Sequence, residues 1–203
     1  MLDRYANFAD LAAHEVEGIS YRIFIVVRAS PIAVVAPHGG EIEPGTSQIA
    51  AEIASGTFSL YCFEGLVPGR PHSGLHIRSD RFDELQGSRL VEASELAVGV
   101  HGRSDGSDAE SVWMGGLNDV LRDEIGDELT RVGFKARTTG HDLPGRALTN
   151  ICNRGRQRAC VQLELPRTLR DNLVADVQRR QTFAAAVRAP IDRFVLSLDR
   201  FKP

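Results

Sequence analysis

The chain has 203 residues, 42% of them hydrophobic and 25% charged, which is one domain's worth of sequence with enough apolar content for a full core. With 24 basic against 27 acidic residues the formal net charge is −3, and this argues against a dedicated non-specific nucleic-acid binder, which carries a strong basic excess. No apolar run approaches the roughly 20 residues of a membrane span, and Met1–Asp10 mixes charges without the apolar stretch of a signal peptide. Repeats, low-complexity tracts and linkers are absent. Cys62, Cys152 and Cys160 are an odd count in strand-like segments, read as buried reduced thiols. The expectation is a soluble, cytoplasmic protein forming a single domain over residues 1–203.

In chain order, Phe8 to Glu17 suits a short amphipathic helix. Tyr21 to Val27 alternates in part, and Ile32 to Ala36 is apolar throughout, as a strand buried on both faces should be. A Gly-rich turn leads to a helix from Thr46 to Ser55 and a strand from Phe58 to Phe63, completing a strand–helix–strand unit. Glu64 to about Ala93 is less regular. Leu96 to Val100 reads as a buried strand, Val112 to Gly116 as a short one, and Leu117 to Val132 as a helix stopped by Gly133. Phe134 to Thr139 and Ala159 to Leu165 read as strands, and from Leu169 the chain turns helical to its end with a break at Ala189–Pro190. The predicted class is α/β, a mixed, largely parallel sheet with helices on both faces. Sites in such sheets lie at the carboxyl ends of strands.

Three strands end on a side chain able to bind a metal or move a proton: Ala36-Pro37-His38-Gly39-Gly40-Glu41-Ile42-Glu43, Val98-Gly99-Val100-His101, and Val161-Gln162-Leu163-Glu164. A catalytic zinc site takes three His or carboxylate ligands and leaves a position open for water, while a separate carboxylate acts as base. His38, one acid from the following turn, His101 and Glu164 supply all four. Spacing does not choose between Glu41 and Glu43: the first gives a short His-x-x-Glu, and the second precedes a proline that biases it to an extended backbone. The alternative for Glu164 is a salt bridge to Arg170 or Arg154. A rival motif, Gly102-Arg103-Ser104-Asp105-Gly106, fits the nucleophile elbow of serine hydrolases, with His141 as base and Asp119 or Asp123 as acid, yet no helix follows the serine. Arg146, Arg154, Arg156 and Arg158 form a basic stretch suited to carboxylate or phosphate recognition. Walker loops, CxxC pairs and dinucleotide fingerprints are absent.

The run Ala36-Pro37-His38-Gly39-Gly40-Glu41-Ile42-Glu43-Pro44-Gly45-Thr46-Ser47 resembles the phage poly-γ-glutamate hydrolase family, whose bacterial members are often labelled phage-related replication proteins. The resemblance continues through Leu75-His76-Ile77-Arg78-Ser79, Val100-His101-Gly102, Gly115-Gly116-Leu117-Asn118, Asn150-Ile151-Cys152-Asn153-Arg154-Gly155 and Val161-Gln162-Leu163-Glu164-Leu165. It implies a carboxypeptidase-like α/β core and a Zn²⁺-dependent hydrolase of γ-glutamyl amide bonds. It places the metal ligands on His38, Glu43 and His101, which selects Glu43 over Glu41, and the catalytic glutamate on Glu164. His76 and Asn153-Arg154 become candidate substrate contacts, with Arg154 first and Arg78 second as the group that binds substrate carboxylates. Arg103 stands where the family pattern has cysteine, Cys160 where it has glycine and Arg78 where threonine is common, so the pocket departs from the family's. The expected partner is a polyanionic or γ-glutamyl substrate, with neither membrane nor nucleic acid. Two other readings are a zinc deacylase or amidase acting on small N-acyl or γ-glutamyl amino acids, and a non-catalytic polyanion-binding protein.

Overall fold

The computed structural model describes residues 3–199. Seven strands form one sheet: β1 (Tyr21–Val26), β2 (Ile32–Gly40), β3 (Ser59–Gly65), β4 (Leu96–Arg103), β5 (Val112–Gly116), β6 (Ala136–Arg137) and β7 (Val161–Pro166), in the order β1-β3-β2-β4-β7-β5-β6. The central run β3-β2-β4-β7 is parallel; β1 and β5 pair antiparallel to β3 and β7. The expected mixed, largely parallel sheet is the sheet observed. Helices α1 (Phe8–Ala12), α2 (Thr46–Ala54), α3 (Leu85–Ala93), α4 (Asp119–Arg131), α5 (Arg167–Ala175) and α6 (Val177–Asp199) complete the chain.

The sheet separates two apolar cores, and strand alternation assigns residues to them. Val34, Ala36, Val98, Val100, Leu163 and Leu165 face the larger core, with residues of α2, α4, α5 and α6. Ala33, Val35 and Ala97 face the smaller one, with Tyr5, Leu11, Leu75, Ile77 and Phe82. By the same parity His101, Gln162 and Glu164 project to the smaller-core side, beyond its last apolar layer.

His38 follows Val34 and Ala36 in even register and by strict alternation would enter the larger core. It does not, because the pairing of β2 with β3 slips between Ala36 and Gly39. This bulge sets Pro37 and His38 opposite one residue of β3 and turns the imidazole to the other face, as bulges near active sites do. There its ring lies 4.1 Å from that of His76 and 6.3 Å from that of Phe82.

The structure departs from the sequence reading in four places. Residues Leu85–Ala93 form a helix inside the stretch read as irregular, capped by Glu84, whose two carboxylate oxygens accept from Gln86 N–H at 2.9 Å and Gly87 N–H at 2.8 Å. Only Leu90 and Val91 give it an apolar face, too few for periodicity to register. The strand expected over Phe134 to Thr139 shrinks to Ala136–Arg137, and the first helix stops at Ala12. The terminal helix breaks at Asp176, not at Ala189–Pro190. Asp176 is extended, and its side chain caps α6 by accepting from Arg179 N–H at 2.9 Å, while buried Val187 and Ile191 carry the helix through Pro190. The helical reading of residues 200–203 lies outside the described residues.

Gly40, just past the bulge, has φ of +60°, and a Cβ there would collide with the Gly65 carbonyl oxygen. Gly40→Ala should therefore cost at least the ~1–2 kcal/mol of a left-handed L-residue, lowering the urea midpoint with the m-value unchanged; an unshifted midpoint would refute this account of the turn.

Candidate active site

Three side chains meet where β2, β4 and the turn after β2 converge. His38 Nε2 contacts the Ile77 carbonyl at 2.7 Å. That oxygen can only accept, so Nε2 carries the hydrogen and Nδ1 is turned inward. Nδ1 lies 3.3 Å from Glu43 Oε1 and 3.3 Å from His101 Nδ1. The turn carrying Glu43 closes when Glu43 N–H donates to the His38 carbonyl at 2.9 Å, and the second carboxylate oxygen accepts Gly102 N–H at 2.6 Å. Glu43 is buried and Glu41 is exposed. Donors about 2.1 Å from a tetrahedral ion stand about 3.4 Å apart, so both His38 separations match the edges of such a site. His38, Glu43 and His76 also hold donor atoms within 4.8 Å of one another. His101 Nε2 is buried with no hydrogen-bond partner.

Glu164 is the register partner of His101 across the β4–β7 ladder. Its Oε1 accepts from Gln162 Nε2 at 2.6 Å, and Gln162 Oε1 accepts from Asn150 Nδ2 at 2.9 Å, so a chain of amides orients the carboxyl group. No salt bridge to Arg154 or Arg170 forms, and burial is accommodated by the amide instead. These groups line a cavity of about 800 Å³.

The electrostatics follow from burial and mutual charge. Burial opposes both charges of the Glu43–His38 pair, yet the contact overrides it: Glu43 is held well below the usual carboxylate range and His38 is raised above the usual imidazole range. The proton that His38 retains therefore lies where a cation would sit. Burial, reinforced by the His38 charge, pushes His101 down to about 3 and His76 down to about 4, leaving both neutral and able to donate a lone pair. Burial, then the Glu43 charge, pushes Glu164 well above its ordinary range against the weaker pull of Gln162, Arg103 and Arg170.

Of the residues expected to touch substrate, His76 and Arg78 line the cavity, and Arg78 is paired with Asp80. Asn153 and Arg154 do not line it. Asn153 is fully buried and ties Gly145, Ala147 and Cys160 together through their backbones; the Arg154 guanidinium is spent on the Thr149 carbonyl. His72, Gln162, Asn150 and Arg170 were not picked out as site residues from the sequence. His72 opens a single 3₁₀ turn, His72–Gly74, inside the stretch read as less regular, and the amides carry no chemistry that spacing reveals. The rival serine motif is a loop wrapped around Arg103, whose guanidinium donates to the Ser104, Asp105, Asp108 and Ser111 carbonyls and stacks 3.9 Å from the Trp113 ring. His141 is engaged with the Met114 carbonyl instead. Cys62, Cys152 and Cys160 are buried free thiols.

The profile of the poly-gamma-glutamate hydrolase family matches residues 5–195. The chain belongs to this family. It is 35% identical over 184 residues to the SPbeta prophage-derived UPF0714 protein YoqZ of Bacillus subtilis, a match covering 89% of this chain and 62% of YoqZ; the chain thus spans under two thirds of that relative's length. Among solved structures, a bacteriophage poly-gamma-glutamate hydrolase superposes with a TM-score of 0.89 at 28% identity, covering 95% of this chain and 98% of that one. The zinc-free apo form of YndL superposes with a TM-score of 0.86 at 29% identity, covering 94% and 98%; a protein named YndL is known from Bacillus subtilis. No helix among the described residues is long and apolar enough to cross a membrane.

The raised Glu164 has a measurable consequence for stability. The folded state keeps this proton to higher pH than the unfolded chain, so stability is lost as pH rises above the ordinary 4.5 toward the folded value. Metal-free Glu164→Gln should then resist urea better than wild type at about pH 8 and match it near pH 4; equal midpoints at the higher pH would show that the Glu164 pKa is not raised by folding.

Proposed function

We propose that the protein is a zinc-dependent hydrolase that cleaves γ-glutamyl amide bonds, with poly-γ-glutamate as its substrate. The observation that carries this reading is that His38 Nδ1 lies 3.3 Å from both Glu43 Oε1 and His101 Nδ1, separations that match two edges of a tetrahedral site, in the cavity that Glu164 lines. Family membership and the likeness to the bacteriophage enzyme support it. His38, Glu43 and His101 are the proposed ligands, a His₂-carboxylate set proper to zinc hydrolases. Zinc bound there supplies water of lowered pKa and polarises the scissile carbonyl.

The remaining work falls to the chain. Glu164 takes the proton of the attacking water as the new C–O bond forms, and returns a proton to the leaving nitrogen as the C–N bond breaks. Gln162, aligned by Asn150, holds one carboxyl oxygen and so orients the group that performs both transfers. Arg78, Arg146 and Arg167 stand around the cavity with exposed guanidinium groups paired to Asp80, Asp119 and Asp171. Exposed pairs of this kind hold weakly, so substrate carboxylates exchange into them, and guanidinium forks suit carboxylates. The role expected of Arg154 passes to Arg78 together with Arg146 and Arg167.

Purified protein should contain one zinc per chain and His38→Ala almost none; absence of metal in wild type, with no uptake on titration, would overturn the reading. Because His38 holds a proton above the ordinary imidazole range, zinc must displace it, and apparent affinity should rise with pH above about 6.5, as competition with a chromogenic chelator would measure. Glu164→Gln should lose about 10²–10⁴-fold in kcat while retaining zinc. Comparing polymer with small γ-glutamyl amides and N-acyl amino acids decides the substrate: preference for the small amides would replace poly-γ-glutamate with an amidase assignment.

A further inference from the structure

The segment that brings the Ile77 carbonyl, His72 and His76 to the cavity is held by a strap of N-terminal residues. Arg4 N–H donates to the Ser73 carbonyl at 3.2 Å, and Phe8 N–H to Asp83 Oδ1 at 2.7 Å. Between them the buried Tyr5 hydroxyl donates to Glu15, which is paired with Arg70. At its head, Asp3 meets the segment with both oxygens: Oδ1 lies 2.7 Å from His76 Nδ1, and Oδ2 accepts Arg78 N–H at 2.9 Å. Asp3 precedes the residues the family profile matches.

We propose that Asp3 is a positioning residue that fixes the tautomer and direction of His76. An ionised carboxylate only accepts, so His76 Nδ1 must carry the ring hydrogen and Nε2 is left as a lone-pair acceptor. The ring lies between the tilted rings of His38, at 4.1 Å, and His72, at 4.3 Å, and one of its nitrogens lies within 4.8 Å of the His38 and Glu43 donor atoms. With Nδ1 taken by Asp3, Nε2 is the atom free to act there. A carboxylate behind an imidazole is the usual means of holding a histidine at a metal centre. The consequence for catalysis rests on the hydrolase reading above, whereas the tautomer does not.

The test has two arms. The first is ¹⁵N-histidine NMR of the metal-free protein at about pH 8, where His76 is neutral, comparing wild type, Asp3→Ala, Tyr5→Phe and, for assignment, His76→Ala. Wild type should show His76 protonated at Nδ1. Asp3→Ala should shift it toward the Nε2–H form. Tyr5→Phe loosens the strap elsewhere and should leave the tautomer in place, which separates positioning from general support. The second arm is kcat/KM of the zinc-loaded protein: Asp3→Ala should lose about tenfold, and adding it to His76→Ala should cost nothing more. An unchanged His76 tautomer in Asp3→Ala, or additive losses in the double variant, would overturn the proposal. Should wild type hydrolyse no substrate, the hydrolase reading falls, and the NMR arm alone still decides the role of Asp3.

Discussion

The carboxylate of Glu43 cannot be buried alone, and the way its charge is met organises the end of the sheet around it. One oxygen faces His38 Nδ1 at 3.3 Å and the other accepts Gly102 N–H at 2.6 Å, so a single side chain joins the turn after β2 to the end of β4. His38 can meet it only because the β2 bulge turns the imidazole out of the larger core and the Ile77 carbonyl claims the opposite nitrogen. A buried charge with one partner removed is costly, and this cost specifies the turn, the bulge and the approach of the 72–78 segment together.

Glu164 is under the opposite influence. It sits near the same negative charge with an amide, not a cation, as its hydrogen-bond donor, and so holds its proton to higher pH than an ordinary carboxyl group. A cation held as proposed between His38, Glu43 and His101 would offset the Glu43 charge and favour the ionised form that a general base needs. The proposed ligands and the proposed base would thereby be coupled through space: a cation that displaced the His38 proton would also ready Glu164 to accept one. Arg103 and Arg170 add positive charge, but their guanidinium groups are committed to backbone carbonyls, the first to the 104–111 loop and the second to Leu165, Pro44 and Arg103. They set the background field, while the exposed arginines around the cavity remain exchangeable.

Arg103 shows how a departure from a family pattern is absorbed. Where the pattern has a cysteine, this chain carries a large cation with Trp113 stacked beside it and four carbonyls around it. The apparent serine motif Gly102-Arg103-Ser104-Asp105-Gly106 is the start of that carbonyl cage. A short pattern can match a catalytic signature while its residues satisfy a neighbour's hydrogen bonds, and only the partners of each atom tell the two apart.

Much of this protein is legible in local sequence because strands buried on both faces read as unbroken apolar runs and surface helices as 3.6-residue stripes. Ile32 to Ala36, Leu96 to Val100 and Val161 to Leu165 mark the parallel centre, and the polar residues that interrupt or end them, His38, His101 and Glu164, mark the candidate site. Glu43 over Glu41 came from the resemblance, since spacing within a turn does not say which side chain will be buried. Tertiary structure alone decided the rest: that His38 crosses to the His101 face, that Asn150 and Gln162 hold Glu164, that Arg154 turns to a local carbonyl, and that Asp3 reaches His76 across 73 residues of chain. Each depends on where a polar atom finds a partner remote in sequence, which periodicity does not encode. The Pro190 reading missed for the same reason. A proline's lost hydrogen bond is visible in sequence, but the packing of Val187 and Ile191 that carries the helix through it exists only once the sheet is in place.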